Sequence, residues 1–255
     1  MIPTFLKTFE SDLIKYEREI IRIKANPQKE TPLNDKLGLK ESKFLGVPFF
    51  PINKEYPKDK KGKPMVMVAQ LNFAQIPAIK NFPTEGILQL FLSPTEWYDE
   101  DSKIIYHTED ELDKKLLTDF SFLSEGDYEE IPIFSLHHLS FEKGIDKGGS
   151  EDSQFDYLFG DLDFWDFSGT LNEEQESQFG KYFDSTGHKI GGYAEFTQTD
   201  PRDYSSSKRD DVQVLQIDVD DFIMFGDSGV GHIFINENYL IKKDFSKAYF
   251  YWDCC

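Results

Sequence analysis

Apolar residues open the chain at Ile2, Leu6, Phe9, Leu13, Tyr16, Ile20 and Ile23, in alternating steps of four and three. That spacing places one apolar stripe along a helix, and Pro27 stops it, so a long N-terminal helix is predicted over about residues 2–26. The pattern then shortens. Met67-Val-Ala-Gln-Leu-Asn72, Gln89-Leu-Phe-Leu-Ser93, Gln213-Val-Leu-Gln-Ile-Asp218 and His232-Ile-Phe-Ile-Asn236 mix apolar and polar positions in runs of strand length. Short turn-like links between such runs imply antiparallel pairing, because a parallel crossover needs about a dozen residues or more. A second helix is predicted over residues 108–123, where Leu112, Leu116 and Phe120 fall four apart behind the acidic start Glu109-Asp-Glu111. A short third helix is predicted to begin near Asn172.

The pattern also repeats. Ser42-Lys-Phe-Leu-Gly-Val-Pro48 resembles His188-Lys-Ile-Gly-Gly-Tyr-Ala194, with Lys43 and Gly46 matched by Lys189 and Gly192. Gln70 and Gln216 stand at the same offset of 146 residues, each followed by an apolar residue and then Asn or Asp. Order and spacing shared by separate blocks point to an internal duplication. The expected fold is therefore α+β and mostly antiparallel β, with two related β units packed as one body behind a long N-terminal helix. Residues 1–255 read as a single domain: helix 2–26, first β unit 38–95, an acidic helical and loop insert 96–185, and second β unit 186–255.

Composition agrees with a packed domain, since 24 Phe and 12 Tyr are too much aromatic surface for a disordered chain. No apolar run approaches the roughly 18 residues of a membrane span. Net charge is −19, and its placement matters more than its size. Residues 96–130 hold thirteen acids against three lysines, and residues 151–184 hold ten acids against one lysine. Such a field repels nucleic acid and anionic lipid and attracts a basic protein partner. The only cysteines, Cys254 and Cys255, can build neither a disulfide framework nor a zinc site, which suits a reduced cytoplasmic protein. Nothing in the sequence sets an oligomeric state.

Candidate chemistry is sparse. Gly226-Asp-Ser-Gly229 surrounds a serine in the manner of trypsin-like proteases, but a serine nucleophile needs a histidine base oriented by a carboxylate. None of the five histidines stands in the expected context, and glycine with Asp and Ser makes a turn. His137 and His138, adjacent on a strand, point to opposite faces and cannot chelate one ion. A calcium loop starting at Asp161 would place Trp165 at its fifth ligand position and Asn172 where a bidentate Glu belongs. No phosphate-binding loop is present, so no catalytic residue, metal or cofactor is assigned. The ligand-binding candidates are Gln70, Gln216, Asp200 and Arg202, expected between the two units, with Asp227, Ser228, Trp252 and Asp253 beside them.

Several stretches together resemble the YwqG-like family of uncharacterised bacterial proteins. They are Ser42-Lys-Phe-Leu-Gly-Val-Pro48, Ala69-Gln-Leu-Asn72, Gly86-Ile-Leu-Gln-Leu-Phe91, Gly191-Gly192, Gln198-Thr-Asp-Pro-Arg202, Leu215-Gln-Ile-Asp218, Phe225-Gly-Asp-Ser-Gly229 and Trp252-Asp-Cys254. The resemblance implies one duplicated α+β body and carries no established activity. It also implies an interaction or immunity role beside bacterial toxin systems. Three functions stay open: a non-enzymatic protein-binding module for a basic partner, a small-molecule binder with its site between the units, and a hydrolase using Asp227, Asp253 or a histidine. Enzymatic function is the least favoured.

Overall fold

The computed structural model describes residues 1–203 and 207–254. Cys255 and part of the 199–211 turn lie outside the described residues. Ten strands form one antiparallel sheet: β1 (Arg18–Pro27), β2 (Lys43–Phe44), β3 (Val66–Asn72), β4 (Ile87–Leu92), β5 (Ser102–His107), β6 (His137–Asp146), β7 (Lys189–Gly191), β8 (Asp211–Ile217), β9 (Val230–Asn236) and β10 (Tyr249–Asp253). Their order across the sheet is β10-β9-β8-β7-β1-β6-β2-β3-β4-β5. The outer strands then curl towards each other. Trp252 on β10 donates its Nε1 to Tyr98 O at 3.3 Å, and its ring lies 5.0 Å from that of Trp97, just before β5. The result is a nearly closed ten-stranded barrel.

This corrects the expected α+β fold with a long N-terminal helix. Helix covers only residues 4–16, as the α-turn α1 (Glu10–Leu13) between two 3-10 turns. At Glu17 the backbone turns extended (φ −62°, ψ 133°), and residues 18–27 become β1. Ile20, Ile21 and Ile23 are β-branched residues that favour the pleated conformation, and β1 pairs with β6 along its full length. Residues 96–185 are likewise more than an insert, because they supply β5 and β6, and β6 sits at the centre of the sheet. The helix expected over 108–123 is a single 3-10 turn at Glu109–Glu111. Beyond it the chain is held straight against its neighbour: Ile52 N donates to Lys115 O and Leu117 N to Phe50 O. Remaining helices are short: α2 (Phe164–Ser168), α3 (Glu173–Tyr182), which starts with a capping box between Asn172 and Gln175, and α4 (Glu237–Ile241).

Two halves mirror each other about the central β1–β6 pair, with β2–β5 on one side and β7–β10 on the other. They are halves of a single sheet, not two sheets packed face to face. Each carries a β-bulge at the same place, between Met67 and Ala69 on β3 and between Gln213 and Leu215 on β8. Inside the barrel, Val68, Leu71, Leu88, Leu90 and Phe44 meet Val214, Leu215, Ile217, Ile233 and Ile235 in one core. Both faces of β3 and β4 are buried, since loops cover the outside as well. That is why these strands read as nearly continuous apolar runs. One asymmetry stands out: the link before β2 is residues 28–42, whereas the link before β7 is the much longer 147–188. The longer link folds over its own aromatic core of Phe155, Tyr157, Phe159, Phe179 and Phe183, against Leu6 and Leu13 of the N-terminal segment.

Candidate functional site

Polar residues on the repeated strands build the same network twice. Gln70 Oε1 accepts from Phe49 N at 2.8 Å, and its Nε2 donates to Leu39 O and Glu41 O at 2.8 Å each. Gln216 Oε1 accepts from Glu195 N at 2.9 Å, and its Nε2 donates to Ser185 O and Gly187 O at 3.0 and 2.9 Å. Every partner is displaced by the same 146 residues. Beside each glutamine lies a buried ion pair, Lys43–Asp35 at 2.6 Å and Lys189–Asp146 at 2.7 Å. The two carboxylates also accept from Val47 N and Tyr193 N, each at 3.1 Å. Gly46 (φ +95°) and Gly192 (φ +78°) wrap these carboxylates so tightly that a Cβ would sit 2.5 and 2.6 Å from the oxygen. Only glycine fits there. These side chains spend their polar capacity on the loops that cover the sheet, so Gln70 and Gln216 hold architecture and face no cleft.

Asp200 and Arg202 are also internal. Arg202 forks onto Asp200 (Nε–Oδ1 2.8 Å, Nη2–Oδ2 2.7 Å), reaches Asp152 at 2.8 Å and donates Nη1 to Asp211 O at 2.9 Å. Burial pushes the Asp200 carboxyl up, but Arg202 outweighs it and holds the group below its usual value. The turn at residues 225–229 closes with Gly229 N on Phe225 O at 2.9 Å. Asp227 and Ser228 are exposed at its tip, with Ser228 in the left-handed region (φ 57°). Trp252 packs on Trp97 and Tyr98, and Asp253 Oδ2 accepts from Thr197 N and Gln198 N at 2.8 Å each. Of the predicted residues, Asp200 and Arg202 pair with each other and the 226–229 turn carrying Asp227 and Ser228 packs against Trp252 and Asp253, while Gln70 and Gln216 sit in matching places of the two halves. Cys254 is a half-buried free thiol beside Gly226 and Trp252.

Four of the five histidines are buried or hydrogen-bonded through their rings, while His138 is half-buried with its Nε2 4.0 Å from Glu41 Oε2. Burial, helped by Lys54, lowers His107 to about 4, and its Nε2 meets Gln89 Oε1 at 2.9 Å. Burial, helped by Arg202 and Lys189, lowers His232 to about 3. His188 accepts Asp218 N on Nδ1 and donates Nε2 to Asp220, so both ring nitrogens are engaged. His137 is buried among Phe44 and Phe222 with neither ring nitrogen bonded. Among the described residues no group of three or more His, Cys, Asp or Glu is placed to hold a metal ion. No helix there is long and apolar enough to cross a membrane.

One carboxyl does stand out. Burial, reinforced by Glu151, raises Glu195 from an ordinary 4.5 to about 7. A carboxyl raised on folding contributes stability below its unfolded value, and that contribution is lost as pH rises through the folded value. Stability should therefore fall between about pH 4.5 and about pH 7, and Glu195→Gln should flatten that part of the profile. Urea midpoints of both proteins across this range make the check; identical slopes would show that Glu195 does not titrate there.

Two surface features remain. A cleft of ≈ 1190 Å³ opens where β7 ends and β1 begins, bordered by the loop at residues 79–82, the start of β8 and α4. On the 147–188 link, Trp165 is 64% exposed and stands among the exposed acids Asp161, Asp163 and Asp166. Arg18, Gln154 and Asp146 are not visible as site or support residues from the sequence, because Gln154 lies 136 positions from Arg18, and Lys189 lies 43 positions from Asp146.

The described residues form a pseudo-symmetric antiparallel barrel whose two halves carry matching buried polar staples. A family model described as Domain of unknown function (DUF1963) matches residues 42–254, and the chain belongs to that family. The match leaves out β1, although β1 is central to the sheet. No curated protein matches the chain.

Proposed function

We propose that this protein is a non-enzymatic binding module that docks a basic protein partner on its acidic 147–188 link. The observation that carries this reading is Trp165, a large aromatic side chain held out in solvent within the most acidic stretch of the second half. Tryptophan is a favoured anchor of protein interfaces, where it buries roughly 150–250 Å². Its mount is firm: Asp163 caps α2 by accepting Asp166 N at 2.8 Å, and Phe164 and Phe167 on the same turn pack into the aromatic core below. Asp161, Asp163, Asp166, Glu173, Glu174 and Glu176 surround this anchor with exposed negative charge, which steers a basic partner and repels nucleic acid and anionic membrane. A basic toxin bound by an immunity-type protein is one such partner. The motifs quoted above as YwqG-like all lie within residues 42–254, which supports assigning the chain to that group of the family. The free thiol of Cys254 suits a cytoplasmic setting.

The test is capture of partners from native cells by wild-type protein and by Trp165→Ser, at low and at high ionic strength. A basic protein should be held by the wild type at low salt, lost at high salt as screening shortens to about 3 Å near 1 M, and lost in the variant. A partner retained equally by Trp165→Ser, or insensitive to salt, would sink the proposal.

A further inference from the structure

In a chain with 47 acids against 28 Lys and Arg, a positioned arginine without a carboxylate partner is informative. Among the described residues Arg18 is such a residue. Its Nη1 donates to Gln154 Oε1 at 3.0 Å and to Gly192 O at 3.4 Å, and its guanidinium lies 3.8 Å over the ring of Tyr193. All three contacts are to neutral groups. Each support is itself fixed: Gln154 donates its Nε2 to Arg209 O and Asp211 O at 3.0 and 2.8 Å, and Tyr193 donates its hydroxyl to Tyr16 O at 2.7 Å. The guanidinium is thus held half-buried on the wall of the ≈ 1190 Å³ cleft, and Arg209 lines the same cleft. A rigid fork of N–H donors with charge to spare fits a carboxylate or a phosphate.

The rest of the cleft decides between them. Across from Arg18, Asn81 donates to Glu237 Oε1 at 2.7 Å, tying the 79–82 loop of the first half to α4 of the second. Five acids, Glu17, Glu19, Asp156, Asp210 and Glu237, line the cleft with Arg18, Lys80 and Arg209, and Ile79, Phe82, Val212 and Leu240 give it an apolar side. A protein of charge −19 disfavours a multiply charged anion such as a phosphate ester. A zwitterion avoids that penalty, because its ammonium is welcome beside Glu19 and Glu237 while its carboxylate takes Arg18. The volume exceeds the roughly 300–1,000 Å³ usual for small-molecule pockets, which favours several residues over a single amino acid.

We infer that this cleft binds a short peptide with a free C-terminus, its carboxylate on Arg18 and Arg209 and its ammonium towards Glu19 and Glu237. The site is distinct from the Trp165 surface. A tripeptide library with free termini and the same library amidated at the C-terminus are the probes, read by thermal unfolding and by ligand-detected NMR. The free library is expected to raise the unfolding temperature and give saturation signals that the amidated library lacks. Affinity should fall about tenfold or more in Arg18→Gln and by a smaller factor in Arg209→Gln, with Trp165→Ser unchanged. Circular dichroism checks that Arg18→Gln is folded; if it is not, the exposed Arg209→Gln carries the comparison. Equal response to both libraries, no response to either, or undiminished binding in the arginine variants would overturn the assignment. Amino-terminal acetylation supplies a second readout, since it should weaken binding while leaving the carboxylate contact in place.

Discussion

Replacing Lys189 by methionine is expected to destabilise the fold by about 3–5 kcal/mol, and Lys43→Met by a similar amount. Each change removes the cation from a buried carboxylate while leaving that carboxylate wrapped by a left-handed glycine that has no room to let water in. Both pairs are almost completely shielded, so the Coulomb attraction is not screened as it would be on the surface. Burial pulls the Lys43 ammonium below its ordinary value, and Asp35 opposes that shift. Equilibrium denaturation of both variants is the measurement. Their costs should agree within about 1 kcal/mol, because each ammonium is buried against one carboxylate and one backbone carbonyl, the second half adding Ser185 Oγ, which donates to Asp146 at 3.2 Å. A second substitution at the acid, Asp35→Asn beside Lys43→Met, should recover part of the loss. A silent Lys189→Met, with Lys43→Met costly, would show that the matching geometry does not carry matching energy.

That equivalence also explains what could be read in advance. Lys43 and Lys189, Gln70 and Gln216, and Gly46 and Gly192 are legible as pairs because each has a specific task that tolerates few residues: a buried cation, an amide bridging two loops, a positive φ. Strands β3, β4, β8 and β9 are legible for a different reason, as runs apolar on both faces. The central pair is not. In β1, Ile20 and Ile23 continue the spacing of the helix before them, and only pairing with β6 reveals the strand. In β6, His138, Ser140 and Glu142–Lys143 leave one edge of the pattern wet, so the alternation is weak. Tertiary pairing overrides local spacing in both cases. The same holds for Leu112, Leu116 and Phe120, whose spacing suits a helix while backbone bonds to residues 50 and 52 hold the chain extended.

The cleft was hidden more deeply. Its walls come from residues 17–19, 79–82, 153–156, 191–192, 209–213 and 236–240, which no local pattern links. Arg18 fell within the stretch read as helix, where an arginine at its end looks like a solvated charge. Barrel closure brings these segments together, and closure depends on the β1–β6 pairing that spacing concealed.

Arg202→Met is the other large effect expected, again about 3–5 kcal/mol, and it carries a sign that the lysine variants do not test. Asp200 and Arg202, the ends of the tripeptide Asp200-Pro-Arg202, stand among the ligand-binding candidates expected from the sequence. The arginine is indeed held, but its acceptors are internal: Asp200 within the tripeptide, and Asp152 from the long link. Arg202 thus clamps the 147–188 link onto β8, where it also takes Asp211 O. With Arg202 present, Asp200 sits below its ordinary value despite burial, so its contribution to stability is full above that value and is lost as pH falls through it. Without Arg202 the strongest influence holding Asp200 down is gone, and burial, opposed now by the Ser153 hydrogen bonds, moves its folded value upward. The stability that a depressed Asp200 adds above its folded value is then reduced. The variant should therefore lose relatively less stability towards acid than the wild type, flattening the slope, and Asp152→Asn in the same chain should restore part of the lost stability. Urea midpoints measured from about pH 4 to about pH 8 separate the two cases. A uniform loss at every pH would mean that Arg202 contributes packing against Phe234, 4.8 Å from its guanidinium, and not charge.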